Sequence, residues 1–337
     1  MFAATIDYRA MIKPGDKIAR AESWQRLRLV GVALLTMPPA YSCTLALLAL
    51  TAMLRPALLS PELLLLILRQ AAPLGLTTIG QSLIMRGLSL DLSIGGVVVA
   101  VTYALTSGYG HLPEALLLPA CLILGMGIGG VNGFLIVRFR ASSVIVTLAV
   151  AMILYGIVIA LSQLRAPGDA PESLKLVGSG RIGILPNALA LWFAALIPAT
   201  LLLRSTVFGN YLDAVGANPR AATLSGFPIS GLSSSLMSCP VRRGVLSAFL
   251  LTGFVGMGSV TVGQDLPLNT LAACILGGVN FGSGLGGITG PAVAAFMLTF
   301  LFNLLTNFGL GEPEQLMLQG AIIVVAALTY SMRQRDQ

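Results

Sequence analysis

The sequence predicts an all-α, polytopic membrane protein with about ten transmembrane helices. Of its 337 residues, 56% are hydrophobic and 10% are charged, whereas a soluble domain carries about 25% charged residues. So few charges cannot cover a water-facing surface, which excludes a soluble enzyme. The four cysteines are scattered in or near apolar runs, which excludes a disulfide scaffold. With one histidine and no C-x-x-C pair, no metal site is expected.

Long apolar segments give the number of spans, because a helix needs about 20 mostly apolar residues to cross a bilayer. Residues 1–28 contain six Lys and Arg residues and no apolar run, so they are expected to form a cytosolic arm. The pair Pro38-Pro39 interrupts the first span and predicts a kink there. Together the spans define a transmembrane domain over residues 29–332, followed by a cytosolic tail at 333–337. The ten spans lie near residues 29–54, 63–86, 92–109, 114–137, 143–163, 186–203, 244–262, 268–284, 290–308 and 315–332.

The placement of Lys and Arg predicts the orientation, since these residues accumulate on the cytoplasmic side. With the N-terminus inside, fifteen basic residues fall in cytoplasmic segments and four in outer loops, leaving Arg69 within a span uncounted. Both termini are therefore predicted to be cytoplasmic. The longest cytosolic loop covers about 204–243 and the longest outer loop about 164–185. The net charge of +7 then reflects this orientation and implies no nucleic-acid partner.

The spans lack the charges that proton-driven carriers use. Apart from Arg69, which is interpreted as reaching the outer interface, no span carries a charge away from its ends. No segment matches the phosphate-binding loop G-x-x-x-x-G-K-[ST]. The G-x-G-x-x-G run at 282–287 follows an apolar helix rather than a strand, so it predicts tight backbone packing or a turn. We expect any ATP that drives transport to be bound by another subunit.

A short helix is predicted in the longest cytosolic loop. Asn218 suits the N-cap, Pro219 the first helical position, and Gly226 the position just after the C-terminus. A helix of about two turns is marginal alone and must dock on something. It either packs on the chain's own spans or serves as a lever that docks into a cytosolic partner. The residues it displays are Arg220, Ala221, Ala222, Thr223, Leu224 and Ser225.

Two other loop segments each allow two interpretations. Between the second and third spans, from Gly87 to Gly96, Asp91 or Ser93 would cap the start of the third span, and Asp91 would complement its dipole. The alternative for this segment is a part in lining an inner gate. The outer loop at 164–185 is either a solvated connector or a landing site for an extracytoplasmic partner.

These segments together resemble the permease subunit of ribose-type ABC importers, the binding-protein-dependent family for pentoses and related sugars. That family opens an early span with a glycine and DLS-[VI]-G, as Gly87 and DLSIGG at 91–96 do here. The segments NGFLIVRFRASSVIVTLAV at 132–150 and LAACILGGVNFGSGLGGITG at 271–290 resemble two further family stretches. Its cytosolic lever, approximately A-x-G-x-N-x-x-A-A-x-x-S-G, is matched by Ala214, Gly216, Asn218, Ala221, Ala222, Ser225 and Gly226. Arg220 and Pro267 stand where the family usually carries acidic residues.

The resemblance implies a non-enzymatic permease in a bacterial inner membrane, surrounded by lipid. Two permease chains, identical or paralogous, would enclose one pathway for a ribose-like monosaccharide brought by an extracytoplasmic binding protein. Two ATPase subunits would bind ATP and Mg and push the short helices at 213–226, so this chain would hold no cofactor. The implied ATPase-coupling residues are Asp213, Ala214, Gly216, Asn218, Arg220, Ala221, Ala222, Ser225 and Gly226. The implied gate residues are Gly87, Asp91, Ser93 and Gly95.

Polar residues inside the spans are the candidates for the pathway, although such residues also hydrogen-bond neighbouring helices. They are Gln81, Ser82, Asn132, Thr147, Asn280, Asn303 and Asn307. Four alternatives stay open at this point. A branched-chain amino-acid ABC permease shares the broad architecture but usually lacks DLS-[VI]-G. A secondary sugar carrier would need an ion-coupling site, an intramembrane enzyme would need a paired nucleophile and base or metal ligands, and a scaffold would lack a polar route.

Overall fold

A computed structural model describes residues 38–108, 113–163, 168–226, 244–279, 284 and 286–335. These residues are largely helical, which confirms the all-α prediction. The helices are α1 (Pro39–Leu54), α2 (Pro61–Arg86), α3 (Ile94–Thr106), α4 (Glu114–Phe139), α5 (Ser143–Ser162), α6 (Glu172–Ser179), α7 (Asn187–Ser205), α8 (Val207–Ala217), α9 (Pro219–Leu224), α10 (Gly244–Val255), α11 (Leu266–Leu276), α12 (Thr289–Asn307) and α13 (Glu312–Arg335). A 3₁₀ turn at Pro56–Leu59 joins α1 to α2. Between α6 and α7, β1 (Arg181–Ile182) pairs antiparallel with β2 (Leu185–Pro186).

Within the described residues, five helices are long and apolar enough to cross a membrane: α2, α4, α5, α7 and α12. Four further apolar helices, α1, α3, α10 and α11, are shorter. These findings confirm a multi-pass membrane protein. Each of the ten predicted spans overlaps one described helix. The number of complete membrane crossings stays a prediction.

Helix α2 is the centre of the packing. Pro61 at its first position and Glu62 in its first turn favour the helix start. Every residue from Ala71 to Arg86 is buried, because α7, α11 and α12 pack against different sides of the helix. Helices α4 and α5 instead expose large apolar side chains, such as Ile123 and Met152, as expected for helices that face lipid.

Helix α11 corrects the eighth predicted span, 268–284, because it ends at Leu276. Gly278 adopts a left-handed conformation with φ of +83°, and the Val279 N–H donates to the Cys274 carbonyl at 2.9 Å, which closes the helix end. A helix of these 11 residues is about 16 Å long, against a hydrocarbon core of about 30 Å. The apolar composition predicts a continuous helix, but the glycine pair at 277–278 ends it.

The proline pair corrects the first predicted span. Helix α1 begins at Pro39, and Pro38 precedes it in an extended conformation with φ −52° and ψ 139°. Proline is well placed at a first helical position because its missing N–H has no partner to lose there. The pair therefore starts the described helix, and the predicted kink is wrong. Residues 1–37, including the arm at 1–28 and the first part of the span, lie outside the described residues.

The described part of the outer loop, from residue 168 onward, is folded onto the helix ends. The Gly168 N–H donates to the Thr106 carbonyl at the end of α3 at 2.9 Å, and the Ala170 N–H donates to the Gly256 carbonyl after α10 at 3.0 Å. Helix α6 lies so close to α10 that a Cβ at Gly178 would clash with the backbone there. The loop is thus ordered against the helix ends while residues 181–185 remain exposed, and both interpretations of it stay predictions.

Arg69 lies at this same end of α2. Its guanidinium carbon is 4.7 Å from the centroid of the Phe254 ring, and Nη1 donates to the Ser179 carbonyl at 3.4 Å. Arg86 ends the helix seventeen residues later, about 26 Å away along the helix axis. The segments predicted to lie outside and those predicted to lie inside thus meet opposite ends of α2.

Candidate functional site

The segment predicted as a lever forms two consecutive helices, α8 and α9. The Asn218 carboxamide oxygen accepts a hydrogen bond from the Ala221 N–H at 3.1 Å, and Pro219 occupies the first position of α9. Gly226 follows the helix end with φ of +83°. The predicted helix and its caps are therefore confirmed, because N-cap, proline and glycine each satisfy the backbone requirement of their position.

The side chains of α9 divide between two environments. Ala222 is 3% exposed and packs on this chain, so the prediction that it is displayed is wrong. Arg220, Ala221 and Thr223 are exposed, and Leu224 has 90% of its surface exposed. None of the described residues covers the Leu224 side chain. The burial of Ala222 agrees with packing on this chain, whereas the exposure of Ala221 and Leu224 agrees with docking into a partner.

Helix α8 connects this lever to the end of α2. The Arg86 guanidinium donates from Nη2 to the Asp213 carboxylate. Three residues further along α8, a Cβ at Gly216 would clash with the Cα of Gly284 and would lie 3.1 Å from the Arg86 carbonyl oxygen. Ala214 on the same helix is partly buried. The glycine run at 282–287 therefore packs backbone to backbone at Gly284, as predicted, and Asp213 and Gly216 join three segments at one point.

Asp91, Ser93 and Asn132 form a buried polar cluster before α3. The Ser93 N–H and hydroxyl both donate to Asp91 Oδ1, at 2.8 and 2.6 Å, and Asn132 Nδ2 donates to Ser93 Oγ at 2.9 Å. Neither Asp91 nor Ser93 caps an N–H in the first turn of α3. The prediction that Asp91 or Ser93 caps the first N–H groups of α3 is therefore wrong. Asp91 instead accepts hydrogen bonds from Ser93, the residue that precedes the helix.

Two hydroxyl groups of α5 complete this cluster. Ser143 Oγ accepts from the Leu90 N–H at 3.1 Å, and Thr147 Oγ1 accepts from the Leu92 N–H at 3.0 Å. The two hydroxyls are four residues apart and share one helix face. Sequence reasoning missed Ser143, whose spacing from Thr147 was the available signal. The extended segment before α3 is thus held by side chains from a helix that follows it by some fifty residues.

The electrostatics of the cluster centre on Asp91. Complete burial raises the pKa of its carboxyl group above the ordinary value of 3.8, and the two hydrogen bonds from Ser93 oppose that shift only in part. Oδ2 of Asp91 and Oδ1 of Asn132 have no protein partner within the described residues. The pKa shift follows from the cost of burying an ionised carboxylate.

The glycines of this motif have separate structural roles. Gly87 has φ of −80°, and it is Leu88 that adopts the left-handed conformation, with φ of +61°, where α2 ends. A Cβ at Gly95 would clash with the Tyr155 hydroxyl of α5 and lie 3.0 Å from Pro267 Cγ, and one at Gly96 would lie 2.8 Å from Ala151 Cα. Both glycines therefore let α3 approach α5, and Gly95 also lets it approach the start of α11.

The candidate pathway residues do not form one group. Asn132 and Thr147 belong to the Asp91 cluster, and Ser82 donates to the Thr78 carbonyl at 2.6 Å. Gln81 is fully buried in α2, and neither of its amide atoms has a protein partner within the described residues.

Asn303 and Asn307 lie in the last turns of α12. Asn303 donates to Gln70 at 2.8 Å, and Asn307 donates to the Asn303 carbonyl at 3.1 Å. Asn280 lies outside the described residues. In the described part of the chain, His, Cys, Asp and Glu side chains form no group of three that could hold a metal ion.

The chain is similar to known permease proteins over most of its length. Residues 63–327 match the family described as the branched-chain amino acid transport system permease component. Among curated proteins, the ribose import permease RbsC of Haemophilus influenzae is 25% identical over 84% of this chain and 89% of its own length. The autoinducer 2 permease LsrC of an Enterobacter strain is 30% identical over 80% and 79%. The L-arabinose permease AraH of Azospirillum brasilense is 26% identical over 95% and 92%. No solved structure matches the chain.

Proposed function

Because the chain belongs to the family of branched-chain amino acid transport system permease components, we propose that it is the permease subunit of an ABC importer for a sugar. The observation that carries this proposal is the extent of the similarity. The relatives named for ribose import and for L-arabinose ABC transport align over about nine-tenths of their own lengths. A shared piece of fold would not extend over whole permeases in this way.

The curated relatives favour a sugar over a branched-chain amino acid. Their names specify ribose, L-arabinose and autoinducer 2, although the family description mentions amino acids. The DLSIGG motif at 91–96 agrees with the ribose-type permeases. A secondary sugar carrier is not favoured, since these relatives are named as permeases of import systems or of an ABC transporter and this chain resembles them over most of its length.

The partners follow from this assignment. ATP and Mg are bound by separate ATPase subunits, and α9 is the element against which those subunits dock through Ala221 and Leu224. A second permease chain encloses the pathway, and an extracytoplasmic binding protein delivers the sugar to the end of α2 near Arg69. The ten helices that overlap the predicted spans lie in a bacterial inner membrane, surrounded by lipid, with both termini in the cytoplasm.

The pathway follows the polar residues along α2 and α12. Gln81 is the strongest candidate, because a buried amide without a protein partner is costly unless another molecule or another state of the protein satisfies it. Asn303, joined to Gln70, lies nearer the outer end. The Asp91 cluster, which fixes the start of α3, supports an inner gate that includes Gly87, Ser93 and Gly95.

Reconstituted transport tests the proposal. The permease is placed in liposomes with its ATPase and sugar-binding protein, and uptake of radiolabelled ribose and L-arabinose is measured with and without internal or external ATP. We expect uptake only when ATP is on the ATPase side, and no effect of an ionophore that collapses ion gradients. Uptake that needs an ion gradient and no ATP would establish a secondary carrier instead.

A further inference from the structure

The contact between α8 and the end of α2 joins a buried cation to an exposed helix. The Arg86 side chain is 7% exposed, whereas its partner Asp213 is 55% exposed. A buried guanidinium without a countercharge is strongly unfavourable. Separating Arg86 from Asp213 therefore costs more free energy than losing an apolar contact of similar size. The end of α2 is expected to remain beside Asp213 when α8 moves.

The backbone around this ion pair leaves little freedom for sliding. Gly216 lies against both Gly284 and the carbonyl of Arg86, so α8 sits directly on the backbone of two other segments. On the same helix, Leu212 is fully buried and Val215 is 4% exposed. This close packing fixes where α8 meets the end of α2 and places Asp213 beside Arg86.

The two ends of this connection lead to different parts of the transport machinery. On one side, α8 leads through Asn218 into α9, the proposed docking helix. On the other side, Arg86 ends a helix that is buried without interruption from Ala71, and the chain continues directly into the Asp91 cluster. One ion pair thus lies between the surface that meets the ATPase and the helix that lines the proposed pathway.

We propose that Arg86 and Asp213 are positioning residues that transmit the movement of α8 and α9 to the cytosolic end of α2. This inference rests on the proposed function. When the ATPase subunits displace α9, Asp213 carries the buried Arg86 with it, and the end of α2 and the start of the Asp91 segment follow. Without the pair, α8 can move while α2 stays in place, and ATP hydrolysis proceeds without transport.

The surroundings of the pair provide a matched control. Arg86 and Asp213 line a cleft of about 280 Å³ together with Arg204, the last arginine of α7. Arg204 is exposed and forms no ion pair among the described residues. Removing Arg204 therefore changes the charge of the same cleft by one unit, opposite in sign to the change in Asp213→Asn, without touching the connection.

The test measures sugar uptake per ATP hydrolysed in the complete complex in proteoliposomes. Asp213→Asn is expected to keep the complex assembled and hydrolysing ATP, while uptake per ATP falls at least about tenfold, a typical size for coupling between two sites. The exchange of charges, Arg86→Asp with Asp213→Arg, should restore much of the ratio, and Arg204→Met should leave it at the wild-type value. The comparison of single and double variants isolates the pair from the effects of each residue alone.

Several results would overturn the inference. It fails if Asp213→Asn retains the wild-type ratio, or if Arg204→Met lowers the ratio as much. It fails as well if exchanging the charges gives no recovery in an assembled, hydrolysing complex. Should Asp213→Asn fail to assemble, Asp213→Ser removes the same charge with a smaller side chain, and an unchanged ratio in that assembled variant contradicts the proposal. A wild-type complex without ATP-driven uptake would instead refute the proposed function itself.

Discussion

Gly96, the second glycine of the DLSIGG motif, allows a specific prediction about the crossing of α3 and α5. In the variant Gly96→Ala the new Cβ would lie 2.8 Å from Ala151 Cα and 2.9 Å from the Ala151 carbonyl oxygen. Both are backbone atoms, so no rotamer change can relieve the clash. Since ordinary contact begins at 3.4 Å, the two helices must separate by about 0.6 Å.

The energetic cost follows from three terms. Overpacking of a tight contact costs about 1–3 kcal/mol. Alanine offsets about 0.5–1 kcal/mol of this, because it is a better helix former than glycine. The separation also lengthens the hydrogen bonds from Leu90 to Ser143 and from Leu92 to Thr147, which join the same two regions and are worth about 0.5–1.5 kcal/mol each when intact. We therefore expect Gly96→Ala to destabilise the protein by about 1–3 kcal/mol.

Thermal unfolding in detergent measures this effect, with Gly156→Ala as the matched control. Gly156 lies in α5, and no described atom outside its own helix and chain neighbours is within 4 Å of a Cβ added there. The control should therefore melt at or above the wild-type temperature, whereas Gly96→Ala should melt below it and transport less sugar. If Gly96→Ala melts as high as the Gly156→Ala control, the backbones of α3 and α5 are not in close contact at Gly96.

Two further substitutions test the cap of α9 and the charge state of Asp91. Asn218→Ala removes the side-chain acceptor for the Ala221 N–H, which should cost the short helix about 1 kcal/mol and weaken retention of the ATPase in pull-down assays, while Asn218→Ser keeps a cap and should retain it. Full retention by Asn218→Ala would show that the cap is unimportant for docking. Asp91 has a raised pKa in the folded protein, so the folded state holds more protons than the unfolded state between the ordinary pKa of 3.8 and the raised pKa, and stability from this residue falls as pH rises through that interval. Asp91→Asn keeps the acceptor for Ser93 and removes this dependence, so the stability of the wild type relative to the variant should decline from roughly pH 4 upward. A difference that stays constant with pH would contradict the raised pKa.

Local backbone chemistry explains which parts of the fold could be predicted from sequence. Asn218, Pro219 and Gly226 each meet a requirement that depends only on neighbouring residues, and the short helix between them forms as expected. Apolar length likewise located a helix in every predicted span. The same reasoning failed at Gly277-Gly278 and at Pro38-Pro39, where composition suggested continuity but the backbone ends or begins a helix.

Contacts between residues distant in sequence account for what could not be predicted. Arg86 was counted only as a cytoplasmic charge, because nothing near it in sequence indicates Asp213, 127 residues later. Ala222 was expected on the displayed face, but which side of a two-turn helix is covered depends on where α8 places it. Ser143 was overlooked because its acceptor role depends on how α5 crosses the segment before α3.

Co-purification with the ATPase tests the central claim most directly, namely that α9 is the surface on which the ATPase docks. The complex is isolated in mild detergent from cells that express the wild type, Leu224→Glu or Ile184→Glu, and the retained proteins are identified by mass spectrometry. Leu224 and Ile184 are both highly exposed apolar residues, with 90% and 83% exposure, but Ile184 lies in the loop between β1 and β2 at the opposite end of α2. We expect the wild type and Ile184→Glu to retain the ATPase and Leu224→Glu to lose it. Retention of the ATPase by Leu224→Glu at the wild-type level, or its absence from the wild type, would contradict the claim.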